Sequence, residues 1–134
     1  MILLDTCALI WIVNKDPIAP AALAAAERAF RRGELFLSPV SAWEIGALAS
    51  RGRLRLGVSA EVYVERAFTL PGVQLAALTP QIAVRSACLP GDFHSDPADC
   101  LLVATALAMG LRLMTRDRRI LAYGAQGHLS VMPC

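Results

Sequence analysis

Short apolar runs alternate along this chain with longer stretches of helical pattern, and that alternation limits the fold more than any other feature. Ile2–Leu4, Leu35–Leu37, Val73–Leu78, Leu111–Thr115 and Leu129–Met132 read as strands. Ile2–Leu4 and Leu35–Leu37 are apolar at every position, the pattern of strands covered on both faces. Helical patterns lie between them: Thr6–Val13, about Pro20 to Arg32, Ser38 to near Gly52, Ser59 to about Thr69, a segment opening at Thr79, Asp96 to Met109, and Asp117–Tyr123. Ser38-Pro39, Thr79-Pro80 and Asp96-Pro97 each set a capping side chain before proline at the first helical position. Gly110 stops the helix that Asp96 opens. Apolar strands joined through helices demand a parallel sheet with helices on both faces. The expectation is one α/β domain spanning residues 1–134, a three-layer sandwich around a mainly parallel sheet of about five strands. No repeat, linker or low-complexity tract divides it.

Hydrophobic residues make up 56% of the chain and charged residues 18%, which excludes disorder. It does not imply a membrane span. The longest apolar stretch, Cys100 to Leu111, is broken by Arg112 and falls short of the roughly 18 residues a spanning helix needs. Met1-Ile2-Leu3-Leu4-Asp5 carries no basic leader, so no signal peptide is expected and the cytoplasm is the expected location. Cys7, Cys88, Cys100 and Cys134 show no CxxC or zinc spacing and read as reduced thiols. A net charge of +2 is too small to establish nucleic-acid binding by itself. The apolar surplus in Cys7–Val13, Ala21–Ala26 and Val62–Phe68 belongs to a dense core, to a partner surface, or to both.

The acidic residues fall at telling places on this scaffold. Asp5 directly follows the first strand and Asp117 the fourth, while Asp96 and Asp99 open the helix after the Leu89–Ser95 loop. Ligands of open α/β sheets bind outside the carboxyl ends of the strands, where strand order reverses. Each aspartate taken alone also fits a helix cap or a favourable first-turn charge. Glu44 has no such role: it lies about one and a half turns into its helix, between Trp43 and Ile45. The weight rests on the set.

Four segments in order resemble the VapC toxins of the PIN-domain family. They are Leu3-Leu4-Asp5-Thr6; Ser41-Ala42-Trp43-Glu44-Ile45 with Gly52-Arg53-Leu54; Asp96-Pro97-Ala98-Asp99 with Leu102-Val103-Ala104-Thr105-Ala106; and Met114-Thr115-Arg116-Asp117. The resemblance covers nearly the whole chain. It implies a PIN-like α/β/α sandwich, metal-dependent cleavage of RNA, a homodimer, and an antitoxin (VapB-like) as partner. It also implies that Asp5, Glu44, Asp99 and Asp117 form an acidic quartet around a divalent ion, with Asp96 as an additional acidic position. Thr6 and Thr115 match small hydroxyl residues bordering that site. Two positions depart from the pattern: Cys100 and Leu48 stand where relatives often have arginine and lysine, which bears on substrate affinity.

The chemistry suits this residue set. A hard divalent cation, Mg²⁺ or Mn²⁺, favours oxygen ligands, offsets phosphate charge and makes water more acidic. Asp5 with Asp99 or Asp117 is expected to bind directly, with Glu44 and the others holding water or a second ion. Arg116, Arg118 and Arg119 beside Asp117 are the expected RNA contacts, with Arg51, Arg53 and Arg55 as a further basic group. His94 lies beside the acidic turn and reads as a solvated loop residue or a substrate contact; His128 reads as structural. One alternative is a degenerate PIN fold that binds RNA or protein without turnover. Another is a metal-dependent phosphoryl-transfer domain, but its haloacid-dehalogenase form needs an aspartate where Cys7 stands, and a receiver form needs a lysine that Lys15 cannot supply.

Overall fold

A computed structural model describes all residues 1–134. In chain order the elements are β1 (Ile2–Leu4), α1 (Thr6–Asn14), α2 (Pro20–Arg31), β2 (Leu35–Leu37), α3 (Pro39–Ser50), α4 (Ala60–Phe68), β3 (Val73–Leu75), α5 (Pro80–Ser86), α6 (Pro97–Met109), β4 (Arg112–Thr115), α7 (Arg118–Ala125) and β5 (Val131–Pro133). The five strands form one sheet in the order β3-β2-β1-β4-β5, and every pairing is parallel.

Strand period explains the layers. Ile2 and Leu4 of β1, Leu35 and Leu37 of β2 and Met114 of β4 join one core with residues of α1, α2 and α4. Leu3 and Leu113, one residue out of phase, join a second core with residues of α6 and α7. Leu3 and Leu113 are fully buried, and truncating either to alanine should cost about 2–5 kcal/mol. α3 lies across the carboxyl edge of the sheet: Val40 belongs to the second core and Ile45 to the first. It packs on α1, α4 and α6.

Three strand boundaries differ from the sequence reading. β3 stops at Leu75 because Thr79 caps α5, leaving Ala77 and Leu78 as an exposed approach. Leu111 donates its amide to Ala106 and finishes α6 behind Gly110, whose φ of +64° turns the chain, so β4 starts at Arg112. Leu129 is buried from the loop before β5.

The topology sets the site. From β1 the chain moves outward through β2 to β3, then returns to lay β4 on the other side of β1. Strand order therefore reverses between β1 and β4, and a crevice opens beyond their carboxyl ends.

Candidate metal centre

Asp5 and Asp117 stand at that crevice. Asp5 extends β1 by one step, its amide donating to the Met114 carbonyl at 3.1 Å. Its side chain then caps α1, one oxygen accepting the Ala8 N–H at 2.6 Å. Asp117 caps α7 in the same manner, Oδ1 accepting from Arg119 N at 2.8 Å and Ile120 N at 3.2 Å. Asp96 caps α6 by accepting the Asp99 N–H at 3.0 Å. The three aspartates are therefore caps as well as site candidates. Each cap engages one carboxylate oxygen, and the second oxygen of Asp117 lies 3.3 Å from Arg119 Nη2. The positive ends of α1, α6 and α7 also meet here, an electrostatic setting that favours negative groups.

Asp99 is the hub. Its Oδ2 lies 3.1 Å from His94 Nε2 and 3.5 Å from Arg119 Nη2, and that same nitrogen is 3.3 Å from Asp117 Oδ2. These are the chain's three ion-pair contacts, so its charged contacts concentrate at this point. Ligand atoms of His94, Asp99 and Asp117 all fall within 4.8 Å of one another. His94 Nδ1 accepts the Asp96 N–H at 3.2 Å, which leaves the proton of a neutral ring on Nε2, facing Asp99. Nε2 is buried and close to Asp99 but off the axis of a well-formed hydrogen bond. In this tautomer Nε2 faces Asp99 at contact distance without a hydrogen bond to it.

Glu44 reaches the group from α3. The Thr6 hydroxyl donates to its Oε1, and Ser41 Oγ lies 3.1 Å from the same hydroxyl oxygen. Glu44 and Asp5 stand outside the tight group of His94, Asp99 and Asp117 but are coupled to it by charge.

The carboxylates disturb one another in the expected direction. Burial, then repulsion from Asp96, Asp117 and Glu44, pushes Asp99 up to about 7. Asp5, only 8% exposed, is raised chiefly by burial, against a lowering hydrogen bond from Thr115. Glu44 is raised by burial and by the charges of Asp96 and Asp5, and held back by Thr6. Asp117 goes the other way: partial burial raises it, but the Arg119 guanidinium and the α7 amides together bring it below its ordinary value.

A hard divalent cation fits this set. The donors are carboxylate oxygens, several are destabilised as anions, and Asp99 and Asp117 approach closely enough to share one ion.

Arg119 is where an RNA contact was expected, but its guanidinium reaches the carboxylates while staying 59% exposed. Arg118 is exposed and forms no ion pair. Arg116 is turned away from the carboxylates. Its Nε donates to the Cys134 carbonyl at 2.8 Å and Nη2 to Pro17 at 3.1 Å, with the guanidinium 4.0 Å above the Trp11 ring. Of the two departures from the family pattern, Leu48 packs on the first core, and the Cys100 thiol donates to the His94 carbonyl at 3.1 Å. All four cysteines are free thiols.

Two neighbours complete the site: Ser41, which the sequence reading did not single out, and His94, read as a loop residue or substrate contact and not as a neighbour of Asp99. Ser41 is fully buried under Thr6. His94 sits beside Asp99 where the neighbouring Phe93 ring packs at a tilt on Tyr123, 4.8 Å between centroids, and anchors the loop. The signal for His94 was its place two residues before Asp96; for Ser41, its place one helical turn before Glu44.

Residues 2–126 match the PIN domain family. Ribonuclease VapC22 of Mycobacterium tuberculosis is 33% identical over 120 residues, covering 89% of this chain and 88% of that protein. Among solved structures, VapBC2 from Rickettsia felis, bound to a DNA fragment from its promoter, aligns with a TM-score of 0.71 at 14% identity, over 99% of this chain and 98% of that one. DNA-bound VapBC from Salmonella typhimurium gives 0.67 at 19% identity, over 99% and 98%. These two likenesses concern the fold.

Proposed function

This chain belongs to the PIN-domain family, and we propose that it is the toxin of a toxin–antitoxin pair, a divalent-metal-dependent ribonuclease. The observation that carries the reading is the convergence of Asp99 and Asp117 at the β1/β4 crevice, with Asp5 and Glu44 coupled to them by charge. The named relative is a ribonuclease, and the solved relatives are toxin–antitoxin complexes.

Asp5, Asp99 and Asp117 would hold Mg²⁺ or Mn²⁺, one or two of them directly, with Asp96 and Glu44 around them. The ion, when bound, offsets phosphate charge and makes water acidic enough to act as the nucleophile near neutral pH. Glu44, held by Thr6 and raised above its ordinary value, would be the group to accept a proton from the nucleophilic water. His94 steadies Asp99, and Thr115 steadies Asp5 while accepting the Asp117 N–H at 3.0 Å. Arg118 and Arg119, exposed beside Asp117, meet the phosphates of the RNA.

The antitoxin has a surface to bind. A cleft of about 630 Å³ lies away from the carboxylates, between α1, α2 and α4, lined by Leu9, Ile12, Leu23, Phe30 and Leu70 among others. It is apolar, as a docking groove for a peptide would be. Val84 and Leu75, exposed on α5 and β3, supply apolar surface for a homodimer. No helix is long and apolar enough to cross a membrane, and action in the cytoplasm is part of the proposal.

The test is cleavage of an end-labelled RNA. Cleavage should require Mg²⁺ or Mn²⁺, leave 5′-phosphate and 3′-hydroxyl ends, and vanish in Asp5→Ala and Asp99→Ala. Binding without turnover would instead make this a degenerate PIN domain. Cyclic 2′,3′-phosphate ends would overturn the water mechanism.

A further inference from the structure

A second feature of α3 is unaccounted for by the metal centre. Trp43 is 66% exposed, an uncommon condition for a ring of that size. The other tryptophan, Trp11, is half-buried and covered by Arg116. Trp43 and Ala47 of α3 and its C-cap residue Arg51 follow one another at four-residue spacing along one side of the helix. Across from that side the start of α6, at Asp96 and Pro97, closes the other wall of a cleft of about 360 Å³. Ala47 leaves the floor beside the indole low. Arg51 and Arg53 line the cleft, and neither forms an ion pair, although Glu44 and Asp96 line it too.

Glu44 and Asp96 are also members of the carboxylate group, so the cleft is continuous with the metal centre. A polynucleotide with a phosphate at the carboxylates can place its next unit in this cleft, which unlike the one beside His94 offers an exposed indole and two arginines. Resting on the ribonuclease reading, we propose that this cleft is a nucleotide subsite. An unpaired base of the RNA stacks on Trp43, and its phosphate is met by Arg51 and Arg53. Stacking on an indole needs a base free of its own helix, so the substrate at this position is single-stranded. The stacking face is tolerant of base identity, because every base has a π-face.

The chain's two tryptophans allow a direct test. In Trp11→Phe the indole emission reports Trp43 alone, and adding Asp5→Asn suppresses turnover. An unstructured RNA oligonucleotide should quench that emission, while the same oligonucleotide made abasic throughout, or a duplex, should not. Trp43→Ala should raise KM for single-stranded RNA about tenfold or more with kcat within about twofold, and Trp43→Phe should restore most of it. Absence of quenching, or an unchanged KM in Trp43→Ala, would overturn the subsite. So would sedimentation showing that Trp43→Ala dissociates a dimer, because the indole would then be covered by a second copy of the chain. The quenching requires no turnover: a wild type that fails to cleave RNA while Trp43 is still quenched would defeat the ribonuclease reading and leave the subsite standing.

Discussion

The hydroxyl of Thr6, the first residue of α1, donates to the carboxylate of Glu44 in the middle of α3, across 38 positions of chain. Thr6 has one proton to give, so with Glu44 as its acceptor the Ser41 hydroxyl, 3.1 Å away, must act as donor to Thr6. This small network ties the crevice to the helix lying across it.

Thr6→Val should therefore do two things. A hydrogen bond to a charged group contributes about 1.5–3 kcal/mol, and the lower part of that range is expected for a half-buried carboxylate. Denaturant unfolding of Thr6→Val should show that loss, and Thr6→Ser should recover it. Removing the donor also removes what holds Glu44 down, so its carboxyl moves further up and the acid limb of RNA cleavage shifts to higher pH. A cleavage profile unchanged in Thr6→Val would show that Glu44 does not titrate in the reaction.

Metal should stabilise the fold by mass action, since a site of converging carboxylates exists only in the folded chain. Mg²⁺ or Mn²⁺ should raise the Tm of the wild type more than that of Asp5→Asn, measured in parallel against EDTA. Equal shifts in the two proteins would remove Asp5 from the ion's surroundings.

Without metal, Asp99 makes stability fall as pH rises. Its folded-state value is about 7, well above its ordinary 3.8, so between those values the folded chain holds a proton that the unfolded chain has released. The folded state is favoured at the acid end of that window and loses this advantage up to about pH 7. Asp5 and Glu44 are raised and act in the same direction. Asp117 is lowered, so its contribution is present above its ordinary value and is lost only in stronger acid, outside the window. In EDTA, Tm should drop between pH 5 and pH 8, and Asp99→Asn should flatten the drop. The metal-induced rise in Tm should be larger at pH 8 than at pH 5, because the ion and the proton compete for one carboxylate. A wild-type slope matching that of Asp99→Asn would contradict the burial and crowding assigned to Asp99.

The parallel sheet was readable from Ile2–Leu4 and Leu35–Leu37, whose apolar residues at every position have no other stable setting in a small domain. The helix starts were equally local, because Ser38, Ser59, Thr79 and Asp96 cap through side chains that accept from amides two or three residues further on. Asp5 and Asp117 could be put at the correct edge because chain position relative to a strand fixes the edge. What stayed hidden depends on contacts between distant segments. Arg116 and Arg119 are three residues apart and looked equivalent, yet one turns toward the C-terminus and the other toward Asp99. His94 could not be given one role because its position depends on Phe93 packing against Tyr123 of the distant α7.

Arg116 offers the sharpest separation of a structural role from a functional one. Its two hydrogen bonds hold the last residue, Cys134, and the turn at Pro17, and its guanidinium covers Trp11. Each is a donor–carbonyl or cation–ring contact at a partly exposed place, so the set should be worth about 1–2 kcal/mol in Arg116→Ala. Arg116→Lys should recover little of it, because an ammonium cannot reach two carbonyls in different directions while lying flat on an indole. Cleavage by the folded fraction should be unaffected, with KM and kcat unchanged once the unfolded population is subtracted. The comparison is Arg118→Ala, which has no intramolecular ion pair to lose: there KM for RNA should rise while the Tm stays put. If Arg116→Ala instead raises KM at constant stability, its side chain leaves Cys134 and Pro17 to meet the RNA. The basic contact surface would then extend across the carboxyl end of β4.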